Sequence, residues 1–528
     1  MANEIAAEGR LSKRNLWGYS MGGVGRDMVY ALVNAQLFTC ALLTKGLSAA
    51  NMLTMSLIII VCRIFDACND PLMGAIIEIT RTKWGKFKPW IMIGCVTNVV
   101  VVLAMFLAPL SGDNYVIFFI FAYLLWGITF TMNDISYWGM MPSLTSNEKD
   151  RNNISTLSNI TAGIGNVSVT LLFPILAYGD LAIGNSAQTG SIVMSIFFCV
   201  MFIACQTMTC FVVKENPLPP KAINAPKPSL KKMIKVLFKN DQLLWTALTM
   251  LLYNPGGAIL TSSMLSIFLY IRFGYQGMLV TIFVVLSGLS AAAMVFYPLI
   301  AKKYTRKQIS TVSVILVVVS YTIMLFIGLF AKTNVTLFGY NIVFYIMAIS
   351  GLGASLGQTM FYMVQTVSMQ NCVEYNEWKT GERAEGSIFS LRPFMAKMSS
   401  AIVQGIVSLT FFALAITDVT QKISDIENEA TLGTITAEEK SSEIASILAT
   451  VPESTSKWLI IVLTVAPMLF IVSGLIVYLT KFKLTEKRYA EICDEIEAKK
   501  KETEGVETPV EETESTKEEK VDETPEEQ

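Results

Sequence analysis

The chain of 528 residues contains no histidine. That absence removes the commonest metal ligand and the commonest catalytic base, so any proton or ion chemistry must fall to carboxylates, with Lys, Arg, Tyr or backbone oxygens in support. Charge is also scarce: 16% of residues are Asp, Glu, Lys or Arg, against about 25% in a soluble protein. The 9 cysteines show neither disulfide-scaffold nor zinc spacing. Cys40, Cys62, Cys68, Cys95, Cys199, Cys205 and Cys210 fall in apolar segments, Cys372 and Cys493 in polar ones. They read as small buried hydrophobes. Met1–Arg14 is polar and lacks the apolar core of a cleavable signal peptide, and the first hydrophobic segment is too long for one. No nucleophile and base stand in a catalytic arrangement, which argues against an enzyme, and nothing points to a cofactor or a nucleic-acid partner.

What is present is apolar sequence in long runs. Hydrophobic residues make up 53% of the chain and mean hydropathy is +0.51. The charges collect in short segments between the runs, the pattern of a polytopic membrane protein. Twelve candidate spans cover 16–43, 48–74, 90–110, 115–140, 156–178, 190–213, 242–271, 277–301, 309–331, 338–366, 387–416 and 458–480. Each is long enough to cross a bilayer at about 1.5 Å per residue. Every second connection is basic: Arg10, Lys13 and Arg14; Arg81, Lys83, Lys86 and Lys88; Lys149 and Arg151; Lys214 to Lys239; Lys302, Lys303, Arg306 and Lys307. The positive-inside rule then puts both termini in the cytoplasm.

These features predict an all-α membrane protein with twelve transmembrane helices in two six-helix bundles, the gross plan of the major facilitator fold. Residues 1–213 form the first bundle and 242–481 the second. A central loop over 214–241 carries Pro217, Pro219, Pro220, Pro226 and Pro228. A polar insertion over 418–457 interrupts the second bundle on the outer side, where a surface cap is the simplest reading. Residues 482–528, acidic and rich in Glu, Lys, Thr and Pro, read as a disordered cytoplasmic tail. The net charge of −1 hides this acidic end against a basic remainder.

Ionisable residues inside a bilayer are expensive and mark functional sites. Span two carries Arg63, Asp66, Asn69 and Asp70. Asp66 and Asp70, four apart, share one helix face one turn apart, and two such anions favour a bound cation or a shared proton. Arg63 is placed to neutralise one of them instead. Span one carries Arg26 and Asp27, a pair readable as an internal salt bridge or as a ligand carboxylate for sugar hydroxyls. In span four Thr131, Asp134 and Trp138 lie on one face. A hydroxyl, a carboxylate and a flat ring suit a sugar. Arg392, Pro393 and Lys397 in span eleven place cations opposite a mostly acidic first half, for substrate or for structural pairing.

The segment Arg63-Ile-Phe-Asp-Ala-Cys-Asn-Asp-Pro-Leu-Met-Gly74 through Arg81-Thr-Lys-Trp-Gly-Lys-Phe-Lys-Pro-Trp90 resembles the signature of the glycoside–pentoside–hexuronide:cation symporters. The stretch Cys372-Val-Glu-Tyr-Asn-Glu-Trp-Lys-Thr-Gly-Glu-Arg-Ala-Glu-Gly386 is similar to the family's second-half motif. The resemblance implies import of a sugar or glycoside together with Na⁺, Li⁺ or H⁺ by alternating access, in a bacterial inner or plasma membrane, by a monomer. It implies that Asp66 and Asp70 hold the cation, with Asn69 and Thr131 nearby. Asp27 and Asp134 would hold sugar hydroxyls, Trp138 would stack on the ring, Arg26 would lie beside them, and Lys397 matches a functional lysine of span eleven. Two positions depart from a branch of the family: Asn159 stands where that branch has a sugar-contacting arginine, and Arg392 replaces a neutral residue, which would favour an acidic sugar or pair with Asp134 or Asp27. A non-transporting ligand sensor and a carrier of amphiphilic lipids are the alternatives of other classes.

Overall fold

Each long apolar run folds as a helix, the one open-ended element that satisfies its own backbone polar groups inside a bilayer. The computed structural model describes residues 11–80, 82–145, 148–214, 238–331, 335–381, 388 and 391–506. The central loop over 215–237, the part of the second-half motif over 382–387 and the tail past 506 lie outside the described residues.

The first half comprises α1 (Lys13–Thr44, with a π-helical turn at Leu32–Gln36), α2 (Ala49–Ile79), α3 (Lys88–Leu107), α4 (Gly112–Met140), α5 (Glu148–Ala177) and α6 (Ala187–Val212). The second comprises α7 (Asp241–Phe273), α8 (Gly277–Gly288, passing through a 3₁₀ turn at Leu289–Ala292 into Ala293–Ala301), α9 (Arg306–Phe330), α10 (Ile342–Thr380) and α11 (Leu391–Ala413). It closes, after two intervening helices α12 (Ile416–Thr431) and α13 (Ala437–Thr450), with α14 (Glu453–Lys481). Among the described residues, 11 helices are long and apolar enough to cross a membrane, and α8 adds a shorter apolar stretch over Gly277–Ala291. Starts are set by side-chain caps: Ser12, Ser48, Ser186 and Asn240 each accept an N–H of the first turn, and Thr305 forms a reciprocal capping box with Gln308. Large apolar side chains such as Leu57, Val100, Phe121, Val312 and Phe330 remain exposed on the outside of the bundle, as a lipid-facing surface requires.

Within the first half α1 packs on α5 and α6, and α4 on α2 and α3; in the second, α9 packs on α10 and α7 on α14 and α11. Glycines allow the closest of these approaches. A Cβ on Gly25 would lie 2.8 Å from Phe202 Cα, so only a residue without one lets α1 seat against α6. Tyr19 and Tyr137 bind α1 to α4 reciprocally: each hydroxyl donates to the other's carbonyl at 2.8 Å, with rings stacked 4.4 Å apart.

The halves meet through α2 against α11 and α5 against α8. Thr281 Oγ1 donates to the Leu171 carbonyl at 3.0 Å, and Gln404 Nε2 to Ser56 Oγ at 3.0 Å. All these groups lie toward the end where α1 joins α2. At the opposite end, which carries the basic connections, no hydrogen bond joins the halves among the described residues. The described polar contacts thus join the halves at one end, the closed end.

The insertion expected over 418–457 is the helical pair α12 and α13, lying over the closed end as a cap. α12 starts from Ala415, held in the left-handed region at φ 49°, a conformation that costs an alanine about 1 kcal/mol. The cap buries a charged pair, Glu427 and Lys440, at 0% and 1% exposure. Burial pushes the Glu427 carboxyl above its ordinary pKa, against the pull of Lys440.

The expectation of disorder from 482 onward needs correction. Residues Glu486–Val506 form a helix, α15. Tyr489, Ile492 and Ile496 recur every three or four positions and give it an apolar stripe. Ile492 is 1% exposed, and Trp378 Nε1 donates to Glu495 Oε2 at 2.6 Å. Burial alone would raise the Glu486 carboxyl, but the Arg306 backbone N–H and guanidinium bring it below its ordinary value.

Gly277, at the start of α8, sits on the Pro174 carbonyl of α5, with no room for a Cβ. Gly277→Val should part α5 from α8 at the capped end, through overpacking of about 1–3 kcal/mol. A disulfide between cysteines placed at Leu171 and Thr281 should then form at several-fold lower yield than in the Gly277 parent; an unchanged yield would contradict this contact.

Candidate functional site

Between the halves lies a cavity of about 210 Å³. Four aspartates (Asp27, Asp66, Asp70 and Asp134) and three basic side chains (Arg26, Arg63 and Lys397) line it. Counted as ionised, the site carries one negative charge in excess, which one monovalent cation or one proton would cancel.

On the first-half side Arg26, 6% exposed, organises two carboxylates. Its Nε donates to Asp27 Oδ2 at 3.0 Å, its Nη2 reaches the same oxygen, and its Nη1 reaches Asp134 Oδ1. The guanidinium lies 4.6 Å from the Trp138 ring centre and 5.2 Å from that of Tyr137. The pair is an internal salt bridge, and it faces the cavity. Arg26 engages only one oxygen of each aspartate, so the second oxygen of each is left for a ligand hydroxyl. One face of Trp138, expected to stack on a sugar ring, instead carries the guanidinium, a cation–π contact strengthened by exclusion of water.

Deeper along α2, Asp70 joins the halves. Its Oδ1 accepts from Thr131 Oγ1 at 3.3 Å, and its Oδ2 pairs with the Lys397 ammonium of α11. Lys397, expected on the substrate, thus reaches a carboxylate of the expected cation pair. Asp66 is 4% exposed. Its Oδ2 lies 3.8 Å from Arg63 Nη1, too far for a hydrogen bond. Its Oδ1 has no hydrogen-bond partner and lies against Gly127, where a Cβ would come within 2.5 Å of it. Arg63 is turned partly away, bonded to Asn34 in the π-helical turn of α1 and stacked 5.4 Å from the Trp126 ring centre. Arg63 therefore neutralises Asp66 incompletely. A buried carboxylate oxygen without a partner is costly, and together with the excess negative charge it suits a bound cation or a proton.

Three expected residues are not brought to the cavity. Asn69 is half-buried and does not line it; helical geometry swings it about 100° from Asp70. Asn159 is exposed on α5 and donates to its own helix at Ser155 O, 2.8 Å away. Arg392 is exposed and sits over the Tyr362 ring, whose hydroxyl it also reaches. It pairs with neither Asp134 nor Asp27. Sequence reasoning missed Tyr30, Trp126, Gly127, Phe130 and Ala396, which complete the lining. A signal was there: Trp126, Phe130 and Asp134 recur every four residues on α4, and Tyr30 follows Arg26 by four on α1.

Because Asp70 and Lys397 belong to different halves, removing either strands the other. Asp70→Asn and Lys397→Met should each lower the melting temperature, through a loss of about 1–2 kcal/mol of stability since both groups are partly solvated. The double variant should recover most of that loss. Additive losses in a thermal-melt cycle would show that the two side chains do not act as a pair.

With the geometry in place, comparison with known proteins is informative. The family model described as "MFS/sugar transport protein" matches residues 18–486. A lactose permease of Leuconostoc lactis is 27% identical over 506 residues, covering 91% of this chain and 71% of its own. A raffinose carrier protein of Pediococcus pentosaceus is 26% identical over 493 residues, covering 91% and 70%. Among solved structures, a D-xylose–proton symporter superposes with TM-score 0.54 at 13% identity, over 84% of this chain and 98% of that one; this likeness is one of fold.

Proposed function

The chain belongs to the MFS/sugar transport protein family, the glycoside–pentoside–hexuronide:cation symporters, and on that premise we propose that it carries a sugar or glycoside across the membrane together with a monovalent cation by alternating access. The observation that carries this reading is the pairing, in one cavity, of a carboxylate set with one excess negative charge and a cluster of ligand-facing acceptors on Asp27 and Asp134. Both lactose permease and raffinose carrier relatives favour a neutral glycoside. The exposed position of Arg392, outside the cavity, removes the sequence argument for an acidic one.

The geometry supports a coupling step. Na⁺, Li⁺ or H⁺ entering between Asp66 and Asp70 satisfies the partnerless Asp66 oxygen and competes with Lys397 for Asp70. The ammonium so released donates to a sugar hydroxyl, while Asp27 and Asp134 accept from others and Arg26 keeps both carboxylates in place. Cation and sugar then each favour the other. The positive-inside rule puts the end of the basic connections, and with it both termini, on the cytoplasmic side, and we infer that the cavity opens there in this arrangement. The connection at 82–87 and the end of α10 at Thr380 lie at the end of the basic connections. With both ligands bound the halves rock about the cavity and reopen at the capped end.

Uptake of a panel of labelled sugars into right-side-out vesicles tests the reading, with and without a Na⁺ gradient, for wild type and Gly127→Ala. A sugar should accumulate under a cation gradient, Na⁺ or H⁺. Gly127→Ala, which forces a methyl against Asp66, should raise the cation concentration for half-maximal uptake about tenfold, equivalent to about 1.4 kcal/mol. No accumulation of any sugar under either gradient, by protein shown to be folded and inserted, would overturn the symporter reading.

A further inference from the structure

The cap does not simply sit on the surface. Both α12 and α13 are tethered to the second half, between α11 and α14, and Tyr275 of that half lies beside the Glu427 carboxyl, yet the hydrogen bonds of Glu427 and Lys440 to backbone groups are made to the first half. Glu427 Oε2 accepts the Ala187 N–H at the start of α6, at 2.6 Å. Lys440 Nζ donates to the Asn185 carbonyl at 2.8 Å and the Gly179 carbonyl at 3.4 Å, and lies 3.7 Å from Glu427 Oε1. Ser424 Oγ accepts the Gly46 N–H at 2.9 Å, in the connection between α1 and α2. Ser186 Oγ bonds Thr431 Oγ1. Glu427 and Lys440 are both essentially sealed from solvent in this arrangement.

We propose that the Glu427–Lys440 pair of the cap is a latch that joins the two halves at the capped end and must release from the first half in every transport cycle. This rests on the alternating-access reading above. The chemistry explains why a charged pair, and not an apolar plug, makes the joint. Burying two charges costs nearly what their attraction and hydrogen bonds return. When the halves part, water takes over the carboxylate, the ammonium and the freed Ala187, Asn185 and Gly179 backbone groups, so the joint is specific in register yet weak in net strength. An apolar joint of the same size would exact the full exposure of its surface on opening. The groups that the cap grips, at 46, 179, 185 and 187, lie at two of the three first-half connections of the capped end, so parting of the halves there pulls directly on the latch.

The test locks the latch and reads conformation separately from transport. Ser186→Cys/Thr431→Cys places a disulfide where the two hydroxyls now meet, in a protein that also carries Ser56→Cys as reporter of the α2–α11 interface. Maleimide labelling of the reporter should fall at least tenfold on oxidation and return with reductant, with oxidised protein lacking the Ser186→Cys/Thr431→Cys pair as control. Sugar uptake should be lost and regained in parallel. In the Ser56→Cys background Glu427→Gln, which leaves Lys440 without its counter-charge, should raise labelling at least threefold. Labelling that is the same in the locked, unlocked and Glu427→Gln proteins would overturn the latch. If labelling responds as described but no variant, reduced or oxidised, moves sugar, then the latch stands and the sugar-symporter reading is what fails.

Discussion

The constraint on which this structure depends is the cost of holding charge in a membrane. Four aspartates and three basic side chains meet in one cavity, and the fold spends much of its local detail on keeping them compensated. The Tyr19–Tyr137 interlock fixes α1 on α4, so that one guanidinium, Arg26, can hold Asp27 and Asp134 together. The π-helical turn in α1 brings Asn34 to Arg63 and draws that cation partly off Asp66. What remains is one uncompensated negative charge and, on Asp66, a buried carboxylate oxygen without a hydrogen bond. The imbalance falls at Asp66, beside the Asp70–Lys397 pair that crosses between the halves. A cation bound there changes the electrostatics of the interface itself, which is how a local binding event acquires leverage over a whole-molecule motion.

Polar contacts between the halves are distributed to match. At mid-depth the joint is a single ion pair, Asp70–Lys397. Toward the capped end come Thr281 to Leu171 and Gln404 to Ser56, and last the buried Glu427–Lys440 pair. These contacts are individually modest and water-exchangeable, of about 1 kcal/mol each.

The fold was largely legible in the sequence because the bilayer imposes length and polarity on every span, and the alternation of basic connections orders them. α2 displayed its site residues openly: Asp66 and Asp70 are conspicuous in an apolar run, and a spacing of four put them on one face. Asn69, Asn159 and Arg392 stand outside the cavity lining because a family position does not fix where a side chain points. The tail helix was hidden by composition: the glutamates and lysines of 486–506 dominate the count, while three apolar residues on one stripe decide the structure. The cap's grip on the first half was hidden for a related reason. Glu427 and Lys440 look like surface charges in a polar insertion, and only the fold shows that they meet backbone groups of the other half.

The account's central claim is that cation and sugar are coupled through the Asp66–Asp70–Lys397 cluster, and binding affinity measured both ways tests it most directly. Sugar affinity of the purified protein would be measured by calorimetry with and without saturating Na⁺, or across pH if the coupling ion is H⁺, and cation affinity with and without saturating sugar. Each ligand should raise the affinity of the other by the same factor, as thermodynamic linkage requires, and Lys397→Met should bring that factor toward one. Sugar affinity that is the same with and without cation would contradict coupling through this cluster.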